Sequence, residues 1–295
     1  MYRPIKAQSE TFHLGIIGDL HTHWDEVDLA QFAGSEYDLL YFTGDLGGGT
    51  PDSSLRVART MAGLRQPTLV MPGNNDTGDI NELAAELTHQ NGLSQLLSMA
   101  QESPATSNPI LLCGYSHHLI HAGQLDVSLI AARPHSMGGP MLSFPEYMEN
   151  TYNIDCLEAS SRKLIELVEQ AESEHLIFLA HNGPAGLGEE PHDIWGCDFK
   201  EDGGDWGDHD LADAIAHARA AGKKVLAVIA GHMHLRTKQG VERPWKLDIN
   251  DTLYINAARV PRIFSAEDDV YRHHIAITIS EAGVQAEEVL VPQYG

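Results

Sequence analysis

Short apolar runs alternate with helical patterns along most of the chain. Runs at 14–17, 39–42, 68–71, 110–113, 127–131, 176–179, 225–229 and 253–255 are rich in Ile, Val and Leu. Most are followed closely by Gly, Asn, Asp or Pro, the pattern of strands buried on both faces. Helices with start signals lie between several of them. Asp25 is placed to cap a helix through Val27, Leu29 and Phe32. Asp155 with Glu158 forms a capping-box pattern ahead of Leu157, Leu164, Ile165 and Val168. Asp210 with Asp213 opens another helix, with Leu211, Ile215 and Ala218 on one face and Gly222 as its stop. Beyond Leu253 the pattern turns to strand, and the runs 275–279 and 284–291 flank Glu281-Ala282-Gly283, a hairpin signal. No repeat, low-complexity segment or Pro- or Ser-rich linker interrupts this order. The expectation is one α/β domain over residues 1–295 with large mixed sheets.

Charge narrows what such a domain can hold. The 295 residues carry 19 Lys plus Arg against 42 Asp plus Glu, a formal net charge of −23. A surface that acidic repels phosphate, so gripping nucleic acid or an anionic membrane through a basic face is not expected. A phosphorylated ligand would need positive charge supplied locally. Histidine is abundant, at 17 residues, and imidazole is the commonest metal ligand. Cys113, Cys156 and Cys197 are widely spaced with no CxxC, which argues against a disulfide framework and fits a reducing compartment. No run of about 18 apolar residues occurs, and the N-terminal stretch lacks a signal-peptide core. The expected location is cytoplasmic.

The polar residues directly after the strands form an ordered set. The first strand ends in Gly18-Asp19-Leu20-His21, the second in Gly44-Asp45 and the third in Gly73-Asn74-Asn75-Asp76. Later strands run into His181-Asn182-Gly183-Pro184 and Gly231-His232-Met233-His234. In open α/β sheets the carboxyl edge of the strands is where ligands bind. Glycine ahead of the polar residue lets the backbone approach a ligand without a Cβ in the way. Seven nitrogen and oxygen donors at consecutive strand ends suit two divalent cations that share one carboxylate.

This set resembles the calcineurin-like phosphoesterase (metallophosphoesterase) superfamily, whose blocks read D-x-H, G-D, G-N-H-D/E, H and G-H-x-H. The resemblance runs from Asp19 to His234 and implies a four-layer αββα sandwich of two mixed sheets with a dinuclear centre at the strand ends. It implies that Asp19, His21 and His234 hold one metal, that Asn74, His181 and His232 hold the other, and that Asp45 bridges them. The implied activity is metal-dependent hydrolysis of a phosphoester on a small phosphorylated substrate, by a hydroxide bridging the metals. Mn, Fe or Zn would serve, with Mn favoured. Two further stretches, AARPHSMGG from Ala131 and GGDWGDHDL from Gly203, are similar to a subgroup associated with photosynthetic organisms.

One block departs from the pattern. Where the family has the His that protonates the leaving oxygen, this chain has Asn75, which has no titratable proton. General acid help is worth roughly 10²–10⁴ in rate, so a phosphodiester or an activated phosphoester is the expected substrate. His23 is the nearest replacement in sequence, and His117, His118 and His135 are more distant ones. Arg133 is the expected protein cation on phosphate, since Arg forks onto two oxygens. With Asn75 and Asp76 of the third block, His23 and Arg133 make up the expected catalytic set. The acidic stretch 198–208 fails the EF-hand spacing and reads as a solvated loop near the centre. Two alternatives remain open at this point: a phosphomonoesterase or protein phosphatase, and a degenerate metal-binding scaffold for protein interaction. Leu46 and Asp76 stand where protein phosphatases of the superfamily usually carry Arg, which lowers the former.

Overall fold

The buried strands lie between two packed layers, and their side chains alternate between those layers. In β2 (Phe12–Ile17) and β3 (Leu39–Phe42), the residues Phe12, Leu14, Ile16, Leu39 and Tyr41 enter one apolar cluster. Ile17, Leu40 and Phe42, on the opposite faces, enter another with Trp24, Phe32, Val57 and Met61. In β8 (His175–Leu179), Ile177 and Leu179 join the first cluster, while Leu176 and Phe178 pack with Leu164, Val168, Leu211 and Ile215. The first cluster therefore lies between two sheets, and the other two lie between a sheet and its helices. The structure is a computed structural model describing residues 4–7, 9–48, 51–76, 110–200, 203–266 and 268–293.

The two mixed sheets have seven strands each. One runs β1 (Ile5–Lys6), β6 (Ser116–Ala122), β7 (Leu125–Ala131), β8, β9 (Lys224–Ala230), β11 (Thr252–Asn256) and β10 (Lys246–Ile249). The other runs β12 (Ile263–Ala266), β13 (Asp269–Ser280), β2, β3, β4 (Thr68–Val70) and β5 (Ile110–Leu112), with β14 (Gly283–Pro292) paired to β13. β2, β3, β4 and β5 are parallel, as are β7, β8, β9 and β11, so their carboxyl ends share one edge of each sheet. The hairpin at Glu281 forms as the pattern predicts, pairing Ser280 with Gly283. Helices Glu26–Ala33 and Pro51–Met61 cover one sheet, and Leu157–Gln170 and His209–Ala220 the other. This is the four-layer arrangement that the family resemblance implies.

Helix starts show where local reading fails. Asp25 does cap its helix, with Asp28 closing a capping box. The N-cap of helix Leu157–Gln170 is Cys156 rather than Asp155, and no side chain bonds it. The helix expected to open at Asp210 starts at His209, and the carboxylate of its N-cap, Asp208, binds Arg133, Ser136 and Asn182 instead of its own helix end. Strands β1, β6, β10 and β12 and helix Pro145–Tyr152 are not legible in the hydrophobic pattern, because β6 leaves alternate residues half-buried, β10 and β12 contain no fully buried residue, and β1 has only two residues. No helix among the described residues is long and apolar enough to cross a membrane.

Burial also places histidines that titrate against folding. His274 is 2% exposed, and burial, then the charge of Arg262, pushes its pKa down to about 3. The folded protein keeps this ring neutral while the unfolded chain protonates it below about pH 6.5. Stability is therefore full above that pH and falls as pH drops toward 3, by up to about 1.4 kcal/mol per pH unit for one proton. His274→Gln retains a partner for the Tyr37 hydroxyl, 2.7 Å from His274 Nε2, and does not titrate. Denaturant unfolding between pH 6 and 4 is expected to show a shallower acid loss in this variant; an unchanged slope would refute the assignment.

Candidate metal centre

Five strand ends converge on one point at the shared edge of the two sheets. β2 passes Ile17 and delivers Asp19 and His21, β3 delivers Asp45, and β4 delivers Asn74 in a 3₁₀ turn, Asn74–Asp76. β8 delivers His181, and β9 delivers His232 and His234. The loops are tied to one another through the backbone. His21 N–H donates to Asp45 O at 2.8 Å, and Gly231 N–H donates to His181 O at 2.7 Å. His21, Asp45 and His232 lie in the left-handed region, at φ 40°, 49° and 66°, a strain that persists only where the surroundings over-determine it. A Cβ on Gly231 would collide with Asp19 Oδ1 and Thr43 Oγ1, so the loop tolerates nothing larger there.

The donors fall into two groups, Asp19, His21 and His234, and Asp45, His181 and His232, with the ligand atoms of each within 4.8 Å of one another. His21 Nε2 and His234 Nε2 face each other at 3.1 Å, and His234 Nε2 lies 3.9 Å from Asp19 Oδ2. Asp45 stands between the groups: its Oδ2 is 3.5 Å from His21 Nε2 and its Oδ1 is 3.7 Å from His181 Nε2. Asn74 Oδ1 is 2.9 Å from His181 Nε2. The supporting contacts aim these atoms. His181 Nδ1 donates to the Thr43 carbonyl at 2.7 Å, which leaves its Nε2 lone pair facing the centre, and the Thr43 hydroxyl donates to Asp19 Oδ1 at 2.7 Å. His232 Nε2 is closed off from solvent and has no hydrogen-bond partner.

That orphaned nitrogen, the facing imidazoles and the interposed carboxylate fit a pair of divalent cations. The electrostatics agree. Burial holds the pKa of His232 down to about 4 and depresses that of His234, so both rings are neutral donors at neutral pH. Burial would raise the pKa of Asp19, but His181, His234 and His21 hold it below the ordinary carboxylate value. Burial would lower the pKa of His181, but Asp45 and Asp19 raise it. Asp76 is pushed up to about 7 by burial and by the charge of Asp45. The pocket thus holds more carboxylate than its protein cations balance.

A cleft of about 270 Å³ opens over this point, lined by His21, Asp45, Asn74, Asn75, His232 and His234 together with Asp198, Phe199, Met233, Arg236 and Lys238. Of the residues expected to act beside the metal ligands, Asn75 alone lines it. Its backbone N–H and its side-chain amide donate to the two oxygens of Asp45, at 2.8 and 2.7 Å. Asp76 is buried beneath the loops and accepts from Leu46 N–H at 2.9 Å and Gly73 N–H at 2.8 Å, so it holds the second and third blocks together. His23 donates from Nδ1 to the Leu20 carbonyl at 3.1 Å and does not line the cleft.

Arg133 departs most from expectation. It is 1% exposed and pairs with Asp210 at 2.8 Å and Asp208 at 2.9 Å beneath helix His209–Ala220, away from the cleft lining. A guanidinium so buried can stay charged only beside carboxylates, and it binds those in place of phosphate. His117 and His118 lie on β6 against Ser128 and Ser116. His135 is buried under the third block, donating to the Gly73 carbonyl at 3.1 Å. The acidic stretch is not simply solvated. Asp198 and Phe199 line the cleft and Asp208 is buried, while Glu201 and Asp202 lie outside the described residues. Thr43, Arg236 and Lys238 escaped sequence reading. Thr43 directly precedes the Gly44-Asp45 block, and Arg236 and Lys238 closely follow Gly-His-Met-His, a proximity that could have flagged them.

The chain matches the calcineurin-like phosphoesterase family over residues 12–236. Among solved structures, one is similar at TM-score 0.56 and 11% identity, with 94% of this chain and 99% of that one covered. The protein TT1561 of Thermus thermophilus is similar at TM-score 0.51 and 10% identity, covering 94% and 98%. A metallophosphoesterase from Sphaerobacter thermophilus aligns at TM-score 0.35 and 11% identity, covering 94% and 88%. At these identities the first two show likeness of fold. None of the curated proteins compared matches the chain.

Two substitutions separate the centre's parts. Asp45→Asn is expected to lower bound Mn²⁺ from two ions per chain to one or none, read by calorimetry with elemental analysis. Thr43→Val removes only the hydroxyl that orients Asp19 and is expected to weaken binding by about 10–100-fold. Two ions bound by Asp45→Asn with wild-type affinity would contradict the bridging position.

Proposed function

Because the chain belongs to the calcineurin-like phosphoesterase family, we propose that it is a hydrolase of small phosphoesters, acting on a phosphodiester or an activated ester. The observation that carries this reading is Asp45, whose two oxygens face separate donor groups at the floor of an open cleft. Asp19, His21 and His234 would hold one divalent ion, Asn74, His181 and His232 the second, and Asp45 would be shared. When bound, the pair of ions supplies positive charge to the phosphoryl oxygens and lowers the pKa of an attacking water. All candidate donors are nitrogen or oxygen, with no thiolate, which suits Mn, Fe or Zn; Mn is the first choice.

The chain's own residues set the rest. Asp45 is fixed in orientation by Asn75 and by the loop that Asp76 ties down. Asp19 and His181 are aimed by Thr43. Asn75 occupies the place from which a proton would be given to the leaving oxygen, but its amide hydrogens do not ionise and one is already given to Asp45. No imidazole outside the seven candidate ligands lines the cleft among the described residues. The leaving group must therefore depart as a stable anion, which favours aryl esters, anhydrides and diesters over alkyl monoesters. The excess of carboxylates argues for a small phosphorylated substrate over nucleic acid. The three cysteines are all unpaired, which agrees with a cytoplasmic setting. The same Asn75 favours the competing reading, a metal-binding scaffold without turnover.

The two readings part in one assay. Mn²⁺-loaded protein is expected to release nitrophenolate from bis-nitrophenyl phosphate faster than from nitrophenyl phosphate, and to cleave an alkyl monoester at least about 10²-fold more slowly. Asp45→Asn and His232→Ala should each abolish turnover. Asn75→His should raise the alkyl-to-aryl rate ratio at least about tenfold. Full metal loading with no nitrophenolate from either aryl ester leaves the scaffold.

A further inference from the structure

The cleft lining outside the candidate metal ligands has a chemistry of its own. Arg236 and Lys238 belong to it, both are exposed, and neither head group pairs with a carboxylate among the described residues. The buried arginines differ: Arg133, Arg243, Arg262 and Arg272 are each held by aspartate. In a chain of net charge −23, two cations in the same cleft as the candidate metal ligands, without a carboxylate partner among the described residues, are placed against the mean field.

The wall is also held in place. The Lys238 backbone N–H donates to Asp198 Oδ2 at 2.6 Å, and Asp198 pairs with Arg243 at 3.1 Å. Arg243 in turn donates to the carbonyls of His234 and Gly196, the latter at 2.8 Å. The turn carrying Lys238 is closed by Thr237 N–H to Val241 O and Gly240 N–H to Thr237 O, both 2.9 Å. These bonds join the Lys238 turn, the Asp198 loop and the ligand His234 into one unit. Phe199 follows Asp198 directly, is 39% exposed in the cleft, and is braced edge-on by Trp206 with ring centroids 5.5 Å apart. A partly exposed aromatic ring in the same cleft lining as two cations that lack a carboxylate partner among the described residues suits a planar ring attached to an anion.

We infer that Arg236 and Lys238 form a second phosphate subsite and Phe199 a ring platform, so that the substrate is a nucleotide-like phosphoester carrying a phosphate besides the one attacked. This rests on the phosphoesterase reading of the same cleft. A cavity of about 270 Å³ takes a small molecule of that kind.

Two chromogenic diesters isolate the second phosphate: the nitrophenyl ester of thymidine 5′-phosphate, and the same compound bearing a 3′-phosphate. Wild-type kcat/KM is expected to favour the 3′-phosphorylated ester by on the order of tenfold or more, and Arg236→Gln with Lys238→Gln to erase that ratio through KM. Calorimetry with thymidine 3′,5′-bisphosphate on Mn²⁺-loaded protein gives an arm independent of turnover. The double variant should bind it about tenfold more weakly. Phe199→Ala should weaken this ligand but leave pyrophosphate binding unchanged. Wild-type ratios and affinities in the double variant would overturn the subsite, and wild-type thymidine bisphosphate affinity in Phe199→Ala would overturn the platform. Bisphosphate binding that depends on Arg236 and Lys238 without turnover of any ester would uphold the subsite while refuting hydrolysis.

Discussion

Three carboxylates, Asp19, Asp45 and Asp76, are buried on the loops that meet at the edge of two sheets, and the structure around them is organised by the need to balance their charge. Burying an unpaired carboxylate is costly. The side chains nearest to them are largely imidazoles, two of which burial keeps neutral. Asp19 finds enough positive potential among its histidines to stay ionised, whereas Asp76, beside Asp45, has its pKa pushed up to about 7. A floor built this way has a deficit of positive charge and a surplus of lone pairs, and that combination is what divalent cations relieve.

The fold makes such a floor possible by fixing its backbone. Parallel strands buried on both faces end on a common edge, so short loops deliver donors from positions more than two hundred residues apart. Their approach is close enough that Gly231 has no room for a methyl group against Asp19 and Thr43. Left-handed backbone at His21, Asp45 and His232 shows local conformation giving way to the requirements of the point where the loops meet. The same principle operates one layer out: Thr43 orients two ligands, Asn75 pins both oxygens of Asp45, and Arg243 ties His234 to the cleft wall.

Much of this was legible in the chain because each donor block follows a buried apolar strand, and period-two burial on both faces leaves a strong hydrophobic signal. The mixed sheets and the strand-end positions of the seven candidate donors follow from that regularity, while the four-layer arrangement is what the family resemblance implies. What stayed hidden depends on partners distant in sequence. Arg133 looked like a phosphate contact, but Asp208 and Asp210, some 75 positions on, claim it; those same bonds took Asp208 away from helix capping. Asp76 resembled a catalytic residue, yet its two oxygens serve backbone amides. Arg236 and Lys238 carry no motif, and only the cleft they line distinguishes them from solvated surface charge. Strands with an exposed face, such as β10, lacked the apolar run that marks the others.

The central claim is that Asp45 is shared by two cations, and diffraction from Mn²⁺-soaked crystals, with anomalous scattering measured at the metal edge, tests it most directly. The account predicts two peaks about 3.5–4 Å apart, one beside Asp19, His21 and His234 and the other beside Asn74, His181 and His232, with a carboxylate oxygen of Asp45 reaching each. A single peak, or two peaks of which neither is within bonding distance of Asp45, would contradict it.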